Sequence, residues 1–223
     1  MDEGTSFWQL FWMSFRARMF WLKEYLIYFV KYYPKFWFAR LDFDLIFSYF
    51  WKSPYRIAKE LSLEPYGETP FTTLEKICKA AAVTKNDRMY ELGCGRGRSV
   101  FWLAAFTQAQ VIGIELLPIF VKRAKALQEK FKISNCKFVC EDLFRSDLKD
   151  ATVVYFYNPA LGDADLKILA EKLAKELKKG SRIVSISFPI TDYTLDTRLK
   201  TVKEFDVKFP WGKTSAYLTQ VIA

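Results

Sequence analysis

The stretch Met89-Tyr90-Glu91-Leu92-Gly93-Cys94-Gly95-Arg96-Gly97-Arg98-Ser99-Val100 constrains this chain more than any other, because a buried-strand pattern breaks into a glycine loop that runs straight into a helix. Glycine at 93, 95 and 97 clears one side of the turn of β-carbons, so a ligand can touch backbone amides at the helix start. A dinucleotide fingerprint would read G-x-G-x-x-G, whereas the spacing here is G-x-G-x-G with an acid, Glu91, two residues ahead of the first glycine. A carboxylate beside such a loop repels a pyrophosphate but suits the cationic amino group of S-adenosylmethionine. The loop therefore reads as a methyl-donor site, with Glu91, Gly93, Gly95 and Gly97 as cofactor-binding residues.

The segments around the loop alternate in the manner of an α/β domain. A helix through Phe101, Trp102 and Ala105 leads to the strand Val111-Ile112-Gly113-Ile114-Glu115, and a further helix carries Phe120, Val121, Ala124 and Leu127. Glu115, ending the second strand, is placed to hold a ribose diol by two hydrogen bonds. The third strand, Lys137 to Cys140, runs into Glu141-Asp142-Leu143-Phe144, where Asp142 can accept from an adenine amino group and Leu143 or Phe144 can cover the ring. The fourth, Thr152 to Tyr157, stops at Asn158-Pro159-Ala160, where the Asn158 amide can orient a substrate nitrogen or the donor. A helix through Leu166, Leu169, Leu173 and Leu177 ends at Gly180, and the strand Ile183 to Phe188 follows. Two last strands, about Thr201 to Phe209 and Ser215 to Ile222, are expected to finish a Rossmann-like sheet as an antiparallel pair. Ahead of the loop, a helix is expected from about Thr72, with Thr72 and Glu75 as a capping box.

The first 52 residues are of different material: an aromatic-rich, amphipathic helical region whose boundary falls at Lys52-Ser53-Pro54. At helical spacing Trp8, Phe11, Trp12, Phe15, Met19, Leu22, Leu26 and Phe29 share one arc, opposite Arg16, Lys23, Glu24 and Lys31. Spanning a bilayer is disfavoured. The best window, Phe20 to Phe38, holds Lys23, Glu24, Lys31 and Lys35, each costing about 2.5–3.5 kcal/mol near the centre against roughly half a kcal/mol gained per Leu, Ile or Phe. Lying in the interface of an anionic membrane fits the same residues without that penalty. The alternative is a helical lid that packs its aromatic arc onto the rest of the protein. Nucleic acid is not the expected partner, because most of these aromatics sit away from the charges.

A net charge of +9 calls for an anionic partner surface. The chain has no histidine, which excludes histidine triads, histidine-ligated zinc and histidine proton relays. Cys78, Cys94, Cys136 and Cys140 are scattered, so no metal site is expected. Free cysteines and the lack of a secretory leader in the first residues predict a cytoplasmic location, peripheral on the cytoplasmic face of a membrane if the leader meets lipid.

From Tyr66 onward the chain resembles class I S-adenosylmethionine-dependent methyltransferases, and among them the non-SET protein-lysine methyltransferases. Tyr66-Gly67-Glu68-Thr69 resembles the substrate-and-donor loop of histone-lysine methyltransferases of the disruptor-of-telomeric-silencing type. That pattern continues in Glu91-Leu92-Gly93-Cys94-Gly95-Arg96-Gly97, Ile114-Glu115, Glu141-Asp142-Leu143-Phe144, Asn158 and Arg182-Ile183-Val184-Ser185. The aromatic leader resembles that of the ATP synthase c-subunit lysine methyltransferases. The resemblance implies a class I methyltransferase sheet over residues 53–223 and a protein lysine as acceptor. It also implies that Glu68 and Thr69 hold the methionine end of the donor, Glu115 the ribose, and Asp142 and Phe144 the adenine, while Tyr66 and Asn158 line the channel.

On this reading Tyr66, Glu68 and Asn158 are the catalytic candidates, with Glu68 either holding the donor or accepting from the amine. A lysine of pKa about 10.4 needs roughly 4–5 kcal/mol to free its amine near neutrality, and an apolar channel, expected from Tyr66, Phe156 and Phe188, lowers that pKa. Arg96 and Arg98 are expected as solvated loop residues, the alternative being contact with an acidic patch of the substrate. A methyltransferase of a small or lipid-like molecule, and a non-catalytic assembly module that still binds donor, are the alternatives.

Overall fold

The protein is described by a computed structural model covering residues 7–31, 35–61, 65–157 and 159–223. Seven strands form one sheet: β1 Arg88–Leu92, β2 Gln110–Glu115, β3 Cys136–Cys140, β4 Val153–Phe156, β5 Arg182–Ile186, β6 Leu199–Phe209 and β7 Gly212–Val221. Their order is β3-β2-β1-β4-β5-β7-β6. The first five are parallel, while β7 runs antiparallel to both β5 and β6, as the sequence led us to expect. The order reverses between β1 and β4, which opens a crevice at their carboxyl ends. β4 is wholly apolar and β1 is buried from Met89 to Leu92, because helices cover both faces of a parallel sheet. Period-two alternation then sorts their side chains: Met89 and Tyr155 join one core, Tyr90, Leu92, Val154 and Phe156 the other.

The first core is closed by α4 Phe71–Ala80, α5 Arg98–Thr107 and α6 Pro118–Lys130, the second by α7 Asp163–Glu176. β5 is shorter than expected. Ser187 takes a left-handed φ of 72°, and the chain leaves the sheet before Phe188. The expected capping box at Thr72 and Glu75 does not form: α4 begins at Phe71 and carries no side-chain cap of its own. Instead Glu24, from α1 Phe7–Lys31, reaches over. Its carboxylate accepts from the Thr72 N–H at 3.0 Å and the Thr72 hydroxyl at 2.6 Å. A negative charge at a helix start meets orphan donors and the favourable end of the helix dipole.

Glu24 is thereby buried, and the helix that carries it turns the opposite arc outward. Trp12, Phe15, Met19, Leu22, Leu26 and Val30 are exposed. The side chains of Trp8, Phe11 and Phe29 lie outside the described residues. Helix α2, Phe36–Phe47, behaves differently. Phe38, Leu41, Leu45 and Tyr49 recur at helical spacing and are buried in the first core, the first three each stabilising by about 1.5–3 kcal/mol. Phe38 meets Phe71 and Phe106 edge-on at 5.6 and 5.3 Å. Its other side carries Phe43, Phe47, Phe50 and Trp51, all exposed and in ring contact along the series. A short helix, α3 Pro54–Glu60, follows, capped by the Ser53 hydroxyl. Among the described residues, no helix is long and apolar enough to cross a membrane.

Candidate active site

The glycine loop fills the crevice at the end of β1. Gly93 and Cys94 donate their N–H groups to the Ile114 carbonyl, each at 2.9 Å, which pins the loop to β2. Gly95 has a φ of +54°, and a β-carbon there would lie 2.7 Å from the Tyr66 Oη. Only glycine meets both demands.

Three carboxylates surround the loop, and each is treated differently. The Glu91 Oε1 accepts from the Ser99 hydroxyl, while its Oε2 is buried without a partner. Burial pushes its pKa up to about 8, with the charges of Glu115 and Glu68 adding to the rise and Ser99 opposing it. Glu91 thus holds a proton near neutrality and gives it up when a cation approaches. Glu115 accepts from the Gly95 N–H and the Leu117 N–H, both at 2.8 Å. Burial raises its pKa, and those backbone donors hold the rise in check.

Glu68 is the third. Burial alone would raise its pKa, but the Arg96 guanidinium, which grips both oxygens, holds it below the usual carboxylate range. The Tyr66 hydroxyl donates to the same carboxylate at 3.1 Å.

Arg96 and Arg98 are not the solvated loop residues expected from the sequence. The Arg98 side chain is 4% exposed and donates to both Asp42 oxygens, at 2.8 and 3.1 Å, and to the Tyr25 hydroxyl at 2.9 Å. Its guanidinium lies 4.0 Å from the Phe71 ring centroid. The reason lies in the leader: α1 and α2 cover the start of α5 and supply acid, phenol and ring faces to a cation that would otherwise reach water. Thr69, also buried, shares a hydrogen bond with the Tyr155 hydroxyl.

A cavity of about 300 Å³ extends from the loop past Glu115 to Asp142, Leu143 and Phe144. Asp142 is fixed there by the Phe144 N–H at 2.9 Å. A smaller space of about 20 Å³, bounded by Thr69, Glu91, Gly93 and Ser99 among others, lies at the loop's other end. S-adenosylmethionine fits these residues. Its ammonium matches the partnerless Glu91 Oε2, its ribose the Glu115 carboxylate, its adenine the Asp142–Phe144 edge, and its close approach the bare backbone at Gly95.

A second cavity, of about 900 Å³, lies on the other side of Tyr66, Gly67 and Tyr157, which line both. Its walls are aromatic: Trp21, Tyr55, Tyr66, Tyr157, Phe209 and Trp211. Trp211, between β6 and β7, donates its indole N–H to the Tyr157 hydroxyl at 3.1 Å and stacks on Phe209 at 5.4 Å. Of the three channel residues expected, only Tyr66 is found here. Phe156 and Phe188 pack in the α7 core, because one step along β4 sends Phe156 to the face opposite Tyr155. Tyr157, Tyr55 and Trp211 were missed. The signal for Trp211 was a large aromatic beside glycine at the expected hairpin, where burial does not explain it. Asn158 lies outside the described residues.

This geometry can be set against known proteins. The family described as the ANTKMT methyltransferase domain matches residues 91–197. A protein-lysine N-methyltransferase of Saccharolobus islandicus (strain REY15A) is 34% identical over 128 residues, covering 56% of this chain and 78% of that protein. The H3 lysine-79 specific histone-lysine N-methyltransferase of Drosophila melanogaster is 30% identical over 154 residues, 60% of this chain but 8% of that much longer protein. Among solved structures, an RNA methyltransferase from Salinibacter ruber in complex with S-adenosyl-L-homocysteine matches with a TM-score of 0.59 and 27% identity, over 70% of this chain and 94% of that one. The G-x-G-x-G cradle, the three acids around it and these likenesses agree: the chain is an S-adenosylmethionine-dependent methyltransferase and belongs to the protein-lysine N-methyltransferase family.

Proposed function

We propose that this enzyme methylates the side-chain amine of a protein lysine, and that residues 1–52 hold its catalytic domain, residues 53–223, against an anionic membrane surface. The observation that carries the first part is the shared wall at Tyr66, Gly67 and Tyr157, where a cavity of about 900 Å³ with several aromatic walls adjoins the donor slot. A β-carbon on Gly67 would come within 2.8 Å of the Tyr157 ring, so the bare backbone there and that ring already touch and form part of the wall the two cavities share. Support for the acceptor comes from the lysine methyltransferase relatives.

S-adenosylmethionine supplies a methyl group on a sulfonium to a neutral nitrogen. The chain's own residues have the tasks of binding, alignment and desolvation. Glu91 and Glu115 hold the donor from the glycine-loop side, and Thr69 with Glu68 forms the floor beneath its methionine end. Glu68, locked as a carboxylate by Arg96 and Tyr66, acts as a positioning residue rather than a base. Tyr66 and Tyr157 strip water from the incoming ammonium and lower its pKa. Its proton is lost to solvent at the cavity mouth before transfer, so no strong general base is needed. Asn158 remains the candidate for orienting the nitrogen.

The membrane part rests on the exposed arc of Trp12, Phe15, Met19, Leu22 and Leu26, together with Phe43, Phe47, Phe50 and Trp51. Exposed apolar side chains in such number mark an interaction site, and aromatic faces with Lys and Arg nearby suit a headgroup interface.

The test is incubation of the protein with tritiated-methyl donor and with membrane and soluble cell fractions, using Gly95→Arg as the donor-blind control. A labelled protein band that disappears with Gly95→Arg and lies in the membrane fraction is the expected result. Label in the organic phase overturns the lysine acceptor in favour of a lipid-like one, and label confined to soluble proteins overturns the membrane role.

A further inference from the structure

The acceptor cavity opens between three cations. Arg16 of α1, Lys208 near the end of β6 and Lys213 near the start of β7 all line it. Lys208 and Lys213 are direct partners across the hairpin. Like charges directly opposite in an antiparallel pair repel, and a sequence selected only for stability would place an acid at one of the two positions. None of the three cations has an ion-pair partner among the described residues. The carboxylate that lines the same cavity, Glu68, is already held by Arg96, with Arg98 4.0 Å away. Two acids lie nearby on the hairpin: Glu204 accepts from the Ser215 hydroxyl at 2.6 Å, and the exposed Asp206, two residues before Lys208, lies within ion-pair distance of none of the three cations. Positive charge is left uncompensated around an aromatic floor, on the path to the donor.

A lysine ammonium approaching this mouth is repelled, and that repulsion favours the neutral amine needed for methyl transfer. The same field opposes docking of any segment whose only charge is that lysine. Both facts are reconciled if the acceptor brings its own acids. Building on the protein-lysine reading above, we propose that Arg16, Lys208 and Lys213 form a specificity rim that selects lysines flanked by aspartate or glutamate. The carboxylates dock on the rim and offset its repulsion, and the lysine enters beside Tyr66 and Tyr157, where desolvation by the rings lowers its pKa. The rim borders the cavity, whereas none of the exposed apolar residues Trp12, Phe15, Met19, Leu22 and Leu26 of α1 lines it, which favours a polypeptide over a lipid headgroup as the occupant.

The experiment compares three short peptides, each with one lysine and differing only in whether aspartate, serine or arginine flanks it. They are assayed with the wild-type chain and with Lys208→Glu/Lys213→Glu, and S-adenosylhomocysteine binding serves as the check that the variant is folded. The wild type is expected to prefer the aspartate peptide over the serine peptide by about tenfold in kcat/KM at low salt, a preference that shrinks as salt is added. The double variant is expected to bind S-adenosylhomocysteine unchanged and to prefer the arginine peptide.

Equal use of the aspartate and serine peptides by the wild type overturns the rim while leaving lysine methylation standing. So does a preference that survives the charge reversal. If the reversal abolishes binding to phosphatidylserine vesicles or to a single-stranded RNA homopolymer and leaves peptide preference untouched, the cations belong to that polyanion instead. Methylation of none of the peptides, with label recovered in lipid, removes the lysine reading and this inference with it.

Discussion

The two cavities that meet at Tyr66 and Tyr157 are built by opposite methods. The donor slot is made of backbone amides and carboxylates at successive strand ends, with Glu91 on β1, Glu115 on β2 and Asp142 after β3. The acceptor cavity is assembled from far-apart places, Trp21 on α1, Tyr55 on α3, Tyr157 after β4 and Trp211 in the hairpin, and combines side-chain rings with the cations of its rim. One ligand never changes and is bound by the part of the fold that cannot change. The other is chosen by loops and an added helix, which can be varied without disturbing the sheet.

The comparison breaks most sharply if the donor slot tolerates a side chain. Gly95→Val adds bulk 2.7 Å from the Tyr66 hydroxyl at a φ of +54°, so S-adenosylhomocysteine binding measured by calorimetry should fall at least about a hundredfold. An affinity within about threefold of wild type would mean that the loop is not the cradle.

The leader's share is tested next. Arg98→Ala leaves Asp42 buried without its cation, and removing one partner of a buried pair typically costs about 3–5 kcal/mol. Denaturant unfolding should show a loss of that order. The double variant Arg98→Met/Asp42→Leu should recover most of it, because what destabilises the single variant is the stranded charge. A loss below about 1 kcal/mol would mean that α2 is not clamped to the glycine loop.

A smaller effect separates the slots by pH. Glu91 has its pKa pushed up to about 8, and on the proposed assignment the donor ammonium needs it ionised. Donor affinity should therefore climb as pH rises from about 6 and level off above about 8, by close to tenfold per pH unit on the lower limb. The free protein behaves inversely. Unfolded, Glu91 loses its proton near its ordinary value of 4.5, whereas folded it keeps it to about 8. Stability without donor thus falls as pH rises through that window. Glu91→Gln should abolish both slopes, seen by calorimetry and by thermal unfolding across pH. An affinity independent of pH in the wild type would sink the assignment of Glu91 to the ammonium.

The positions of the proposed donor-slot residues were legible because they depend on local pattern. The glycines, Glu91, Glu115 and Asp142–Phe144 sit at strand ends, and strand ends can be read from period and punctuation. The acceptor half was not, because a one-residue parity decides which of Phe156 and Tyr157 faces the cavity, and the pattern Val153 to Tyr157 is apolar on both sides. Glu24 and Arg98 escaped for a related reason. Each reads as a surface charge on its own helix, and only the packing of α1 and α2 over α4 and α5 provides the Thr72 amide and the Asp42 carboxylate that bury them. Long-range pairing of this kind leaves no mark in local spacing.

The finest distinction between the two cavities lies in a single hydrogen bond. Trp211 holds Tyr157 through its indole N–H at 3.1 Å while its ring stacks on Phe209. Trp211→Phe keeps a ring on that stack and removes the donor, and the Tyr157 hydroxyl, on the wall shared by both cavities, loses its anchor. A hydrogen bond of this kind contributes about 0.5–1.5 kcal/mol. Acceptor KM should therefore rise by roughly threefold to tenfold, with S-adenosylhomocysteine affinity unchanged. Should both constants move together, the shared tyrosine would have to be read as a wall of the donor slot first, and the division of labour between backbone and rings would shift by one residue.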